Sequence, residues 1–477
     1  MKTESGIMKA VVASLALAAA GCTMVGPDYE RPALTLPDAF PRASPGMTAG
    51  ADIRPDWWTL YDDPMLNELV TSALERNADI RLAVARIQET DANLREANAA
   101  FLPEIDLGAT ATRSRISGRT ATPLLSGASA VRNNVRIAAS TSFEIDFWGR
   151  LKRGVEAVRA LNLASRYARD TVALTLTGIT AQAYFSLRSL DAQIAITRET
   201  LASRQDYEDL VRRRAAGGIA SDLDVNQAEG AKADAAVQLT DLLRQRELVE
   251  HQLGTLTGRL DLKVANGNVR NLPVPPVPPP GLPSTLLARR PDIRQAEETL
   301  VSANAQIGVA RADLFPLVSL TGSLGAESKT LAALLTQPAV IWSLGPALAM
   351  PLFDAGRREA RVDAAVARAQ QALVNYQKSV ETAFREVADA LTNVQQSATS
   401  EQDLRTRLAA ARNALRLARF RYESGYSAYL EVLDAQRTAN DAELAAIRNR
   451  QATLAAHVDL LKALGGGWST ADIIATP

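Results

Sequence analysis

The sequence repeats itself in tandem. Asp79-Ile80-Arg81 returns as Asp292-Ile293-Arg294 and Pro103 as Pro316, both 213 residues later. Gly149-Arg150 returns as Gly356-Arg357, Gly218 as Gly425, Leu223 as Leu430, Val225 as Val432 and Gly258 as Gly465, all 207 residues later. The spacing changes once, between Pro103 and Gly149, where the first copy holds six more residues. A single length change belongs in a loop, where extra residues are best tolerated. A period of about 200 residues is far beyond that of a solenoid, so the chain is a duplicated domain.

Prolines mark the joints. The copies meet at NLPVPPVPPPGLP, residues 271–283, whose seven prolines make it extended and free of helix. No proline falls between Pro123 and Pro273 or between Pro351 and Pro477, so those spans are where long helices belong. Each copy then reads helix, strand, loop, strand, helix, break, helix.

The strands alternate with period two. In residues 133–147 one face reads Val135, Ile137, Ala139, Thr141, Phe143, Ile145, Phe147, and the other Arg136, Ala138, Ser140, Ser142, Glu144, Asp146. Residues 104–112 alternate likewise, as do Val318, Leu320 and Leu324 against Ser319, Thr321 and Ser323. The last strand sets Trp342, Leu344, Leu348, Met350 and Leu352 against Ser343, Gly345, Ala347 and Ala349. The strands are expected near 103–113, 133–147, 316–326 and 340–353. Two readings fit: a half-buried soluble sandwich, or membrane-spanning strands with small polar residues toward a watery lumen. Four strands cannot close a membrane barrel, whose smallest closed form has about eight, so the second reading requires several chains. Three copies would supply twelve.

From Arg150 to Ala216 nothing interrupts a helix, which at 1.5 Å per residue is up to roughly 100 Å long. In the second copy Val362, Val366, Ala369, Leu373, Tyr376, Val380, Phe384, Val387, Leu391 and Val394 follow heptad steps with one stutter. Abundant alanine beside this seam allows close helix approach.

Chemistry has few candidates. His251 and His457 lie far apart in helical runs, and the sequence holds no zinc spacing, phosphate loop or nucleophile elbow. With 53 basic and 53 acidic residues there is no net charge to draw nucleic acid. Arg212-Arg213-Arg214 reads as a solvated helix face. No run of 18 consecutive apolar residues exists, so membrane insertion of the chain would need strands. Glu431 and Asp434, three residues apart on one helix face, could be an acid/base pair, a metal site, a solvated face or charge lining a hole.

The N-terminus is the informative exception. Residues 1–21 carry Lys2 and Lys9, then an apolar run from Ala10 to Ala20, then Gly21 before the lone Cys22. This is a secretory signal, and it resembles a bacterial lipoprotein signal. It implies cleavage before Cys22, a covalent lipid there and, with Thr23 next, an outer-membrane destination. The expected division is signal peptide 1–21, lipidated segment 22–60, first repeat 61–270, linker 271–283, second repeat 284–467 and tail 468–477.

TMVGPDYERP after Cys22, WWTLYDDPMLNELV (57–70), FLPEIDL (101–107), FWGR (147–150), LARRPDIR (287–294), LFPLVSLTGSLG (314–325) and FDAGRR (353–358) together resemble TolC-like outer-membrane efflux factors of the lipoprotein branch. The resemblance covers essentially the whole chain after the signal. It implies an α+β, mostly helical homotrimer. Its twelve-stranded transmembrane β-barrel, four strands per chain, continues into a long periplasmic α-helical coiled-coil barrel. It also implies a passive, non-enzymatic exit duct for drugs or other small molecules. The duct's partners would be a periplasmic adaptor and an inner-membrane transporter of the resistance-nodulation-division type.

The resemblance also places the periplasmic tips at about 217–222 and 424–428. Gly217, Gly218, Ser424 and Gly425 become the adaptor-docking turns, and Glu431 and Asp434 the carboxylates ringing the closed aperture. Asp224 and Tyr422 match one gate-latch pair. The chain departs at Ser427 and Leu223, where an arginine and a hydroxyl are implied, which makes Arg419 and Arg421 the candidate replacements. Two other classes compete: a periplasmic coiled-coil scaffold or adaptor lipoprotein, and a lipoprotein enzyme using Glu431 and Asp434.

Overall fold

The computed structural model describes residues 24–37, 40, 53–117, 119, 129–278 and 286–466. Cys22, the signal segment, residues 279–283 of the linker and the tail 468–477 lie outside the described residues.

The duplication is visible in element lengths. Helices α2 (Ala78–Ala99) and α5 (Pro291–Ala312) have 22 residues each. Helices α3 (Arg150–Ala216) and α6 (Arg357–Glu423) have 67 each. Helices α4 (Asp222–Leu256) and α7 (Tyr429–Ala463) have 35 each. Helix α1 (Pro64–Arg76) precedes the first set.

The chain divides into two compact units, and neither is one repeat. The first contains Ile87–Ala164 and Ala296–Tyr376 with the first 32 residues, and the second contains Ala33–Arg86, Ser165–Gln295 and the chain from Gln377 onward, each as far as its residues are described.

The first unit holds one antiparallel sheet in the order β1 (Glu104–Arg115), β2 (Val131–Glu144), β3 (Leu317–Ser328), β4 (Val340–Ala349). The register runs without a bulge, so whole rows share a face: Leu107, Ala139, Leu324 and Trp342 in one row, and Asp106, Ser140, Ser323 and Ser343 in the next. The first row belongs to the apolar face. On the second, the Ser323 and Ser343 hydroxyls lie 2.8 Å apart.

Strands β2 and β4 stop earlier than the alternation predicts. Pro351 removes a ladder donor after β4, and Gly149, at φ +77°, turns the chain from β2 into α3. Gly356, at φ +80°, makes the same corner before α6. At the first corner Trp148 stacks on Phe315 with 4.6 Å between ring centroids, and its Nε1 donates to the Pro316 carbonyl at 2.8 Å.

The N-terminal segment is pinned to this corner. The Val25 amide donates to the Trp148 carbonyl at 3.0 Å. Arg31 donates twice to Glu297, at 2.6 and 2.7 Å, and buried Arg153 reaches Asp28 at 2.6 Å. A Cβ on Gly26 would lie 2.5 Å from the Cα of Gly308, so the approach needs glycine.

The second unit has an apolar core in which Trp57, Tyr61, Leu66, Leu69 and Val70 pack with Tyr184, Phe185, Leu187, Leu253, Leu454 and Val458. Asp63 caps α1 by accepting from the Met65 and Leu66 amides, and its other oxygen accepts from Tyr184 Oη at 2.6 Å. The buried line on α6 differs in detail from the expected seam. Ala383 and Ala390 alternate with Val380, Val387 and Val394, while Phe384 and Leu391 are only half-buried. Alanine lets the backbones approach, so the bulky neighbours are turned partly outward.

Candidate functional site at the helix turns

Both long helices end in the same cap. After α3, the Gly218 amide donates to the Ala215 carbonyl at 2.9 Å and the Ile219 amide to Arg214 at 2.8 Å. After α6, Gly425 donates to Tyr422 at 3.0 Å and Tyr426 to Arg421 at 2.8 Å. These are Schellman caps, and their pivots Gly218 (φ +74°) and Gly425 (φ +81°) sit in the left-handed region that glycine adopts without strain. Gly217, Gly218, Ser424 and Gly425 are all exposed.

The two helices that follow start differently. Ser221 caps α4: its Oγ accepts from the Asp224 amide at 3.2 Å, while the Asp224 carboxylate accepts from the Ser221 amide at 3.1 Å and hydroxyl at 2.8 Å. Its counterpart before α7 is Ala428, which has no capping side chain. Glu431 is the counterpart of Asp224 and is therefore not drawn into a cap. It is exposed, and its only ion pair among the described residues is with Arg421 at 3.7 Å. Asp434 is also exposed and has no ion pair among the described residues. Buried Val432 faces the opposite way, so the two carboxylates share the solvent side of α7.

Beneath the turns lies a small core of Tyr207, Val211, Ala228, Tyr422, Tyr429 and Val432. Arg214 stacks over the Tyr422 ring at 4.6 Å and donates to the Tyr422 carbonyl at 3.5 Å. Arg419 donates to Ser203 Oγ at 3.1 Å and lies 5.7 Å from the Tyr207 ring. Both contacts tie α3 of the first repeat to α6 of the second. Burial pushes the Tyr429 hydroxyl up to about 12. Glu208 on α3 accepts from Lys232 at 2.6 Å and Arg212 at 2.8 Å, and Arg212 also reaches Glu229 on α4 at 3.1 Å. The Lys232 and Arg212 hydrogen bonds hold the Glu208 carboxyl below the usual range.

Within the chain Asp224 and Tyr422 are not brought together: the carboxylate is occupied by its cap and the ring by Arg214 and Tyr429. Arg419 and Arg421 do make links, to Ser203 and Glu431. Sequence reasoning missed Arg214, which it placed on a solvated face, and Arg212, which joins α3 to α4. It also missed the contrast between Asp224 and Glu431, although both stand 207 residues apart and the Ser221-to-Ala428 exchange was readable. Among the described residues no group of His, Cys, Asp and Glu is arranged to hold a metal. His457 is buried in α7 and its pKa is lowered, first by burial and then by Arg450.

A sheet with open edges and one apolar face, joined to long helices that end in paired capped turns, is the build of a channel subunit. The chain belongs to the outer membrane efflux protein family, which it matches over residues 69–259 and 282–466. It is 35% identical to outer membrane protein OprJ of Pseudomonas aeruginosa, over 95% of each chain. It is 34% identical to the cation efflux system protein CusC of Escherichia coli, over 95% of this chain and 97% of that one. A probable outer membrane lipoprotein of Salmonella typhimurium, SilC, is 32% identical over 94% of this chain and 96% of its own. The solved outer-membrane channel OprN shares the fold with a TM-score of 0.85 at 30% identity, covering 93% of this chain and 99% of that one. The chain is an efflux-channel component of the outer membrane.

Proposed function

We propose that three copies pool their sheets into a twelve-stranded barrel and that their helices line the periplasmic part of one conduit. The observation that carries this is the sheet itself. Among the described residues strands β1 and β4 have no partner on their outer edges, and the apolar face leaves Leu107 78%, Trp342 76% and Leu344 68% exposed. A membrane tolerates neither open edges nor unsatisfied backbone groups, so a spanning sheet of this kind must close through other copies.

Three copies of Glu431 and Asp434 would ring the aperture. A ring of like charge favours cations and polarises the passage. The Arg214–Tyr422, Arg419–Ser203 and Arg421–Glu431 contacts are the local ties that opening has to loosen. The exposed turns at Gly217, Gly218, Ser424 and Gly425 are where a periplasmic adaptor docks, with an inner-membrane pump of the resistance-nodulation-division type supplying the energy. The duct itself is passive and catalyses nothing, and its cargo is drugs or other small molecules. Cys22 carries the lipid: the first described residues are held at the strand-to-helix corner by Val25 and Trp148, where an anchor in the inner leaflet of the outer membrane would sit.

Single-channel recording in planar bilayers tests the reading. The wild type should give small cation-selective openings, and Glu431→Ala/Asp434→Ala should enlarge them or abolish the selectivity. Channels indifferent to the double substitution would move the gate elsewhere. Folded trimer that forms no channels would refute the conduit.

A further inference from the structure

The first hairpin is electrically polarised along its length. From Leu107 to Phe143 the sequence contains five arginines and no carboxylate. The acidic residues Glu104, Asp106, Glu144 and Asp146 all lie at the end that joins the helices.

The register sorts the strand arginines by face. Arg113 stands opposite Asn133 and Arg115 opposite Val131, and both share the parity of Ile105, Leu107, Ala109 and Ala111. They therefore lie on the apolar face, the first one pleat (about 7 Å) beyond its last apolar residue on β1. Arg132 and Arg136 lie on the other face, where Arg136 approaches Glu327 at 4.0 Å. Arg113 and Arg115 are exposed, and their guanidinium groups make no ion pair or hydrogen bond among the described residues. At the offset that aligns Pro103 with Pro316, their counterparts in the second repeat are Ala326 and Ser328, so the feature occurs once per chain.

We propose that Arg113 and Arg115 bind the phosphate of an anionic lipid in the outer leaflet, a site that rests on the sheet spanning the membrane as argued above. The occupant must be an amphiphile. Its acyl chains meet the apolar band of Leu107, Ala109, Ile137 and Trp342, and its headgroup arrives at the depth where that band gives way to the two guanidinium forks. Arginine matches phosphate oxygens in bidentate geometry and keeps its charge at any accessible pH. A lipid without phosphate satisfies only the apolar half. Free phosphate satisfies only the basic half and has no reason to prefer this face over Arg132 and Arg136.

The test uses the full trimer in phosphatidylcholine nanodiscs, doped with bisphosphorylated lipid A or with its dephosphorylated form, and reads lipid retention by native mass spectrometry. Wild-type protein should retain the phosphorylated lipid in preference. Arg113→Gln/Arg115→Gln should weaken retention at least about ten-fold, the loss expected from charge-assisted contacts, while Arg132→Gln/Arg136→Gln should leave it unchanged. Equal retention by both double variants, equal retention of the dephosphorylated lipid, or full displacement by millimolar inorganic phosphate would overturn the site. Failure of the wild type to insert in the nanodisc would instead overturn the membrane reading beneath it.

Discussion

Asp224 and Glu431 occupy the same position, the third residue of α4 and of α7, yet only Asp224 is spent on its own helix. The difference lies three residues upstream, at Ser221 and Ala428. The first repeat closes a capping box. The second leaves its carboxylate in solvent beside Asp434, with a single exposed contact to Arg421 that is worth about 0–1 kcal/mol.

Ala428→Ser should rebuild the missing box. The new hydroxyl would accept from the Glu431 amide, and the Glu431 carboxylate would turn back to the cap. The helix start should gain about 1 kcal/mol, seen as a higher unfolding midpoint, while cation selectivity falls. A gain in stability with unchanged selectivity would mean that Glu431 does not face the passage.

Arg214→Ala should loosen the tie between the repeats. A partly buried cation–π contact contributes about 0.5–2 kcal/mol, and Arg214→Lys should retain part of it because a point charge still faces the ring but the carbonyl contact is lost. Open probability in planar bilayers should rise in the order wild type, Lys, Ala. Identical traces for all three would assign Arg214 to folding alone.

Acid should loosen the junction of α3 and α4. The folded-state pKa of Glu208 is depressed by Lys232 and Arg212. Its stabilisation is therefore complete above the unfolded carboxylate value, about 4.3, and is lost as pH falls below it. Amide exchange around residues 204–232 should accelerate between neutral pH and about pH 3.5 in the wild type, after correction for the intrinsic pH dependence. Glu208→Gln should exchange fast at both values, with little further change. A wild type as protected in acid as at neutrality would contradict the assignment.

The two faces of the sheet should respond oppositely to charge. Leu324→Arg places a cation on the apolar face and should cost about 2–4 kcal/mol of membrane-folded stability per chain. Its sequence neighbour Ser323→Arg points the other way and should leave folding in bilayers intact while lowering conductance to cations. Folding yield and conductance, measured on the same two preparations, separate these outcomes.

Much of this protein was legible in its sequence because periodicity and repetition are local properties. The 207-residue offset set the two Schellman turns, proline placement set the long helices, and alternation set the faces of all four strands. The bare alternation left a soluble sandwich open; the open edges and exposed apolar face of the folded sheet weigh against it. The prolines of residues 271–283 suggested a division between repeats, but the compact units cut across the repeats instead, because antiparallel pairing of β2 with β3 draws one hairpin from each copy into a single sheet. The ties at the tips were decided by tertiary structure alone. Arg214 looks like its neighbours Arg212 and Arg213 in sequence, and only the packing of α3 against the end of α6 gives it the face of Tyr422. Side-chain partners between helices depend on which residues meet when two helices pack, and no spacing within either helix encodes that meeting.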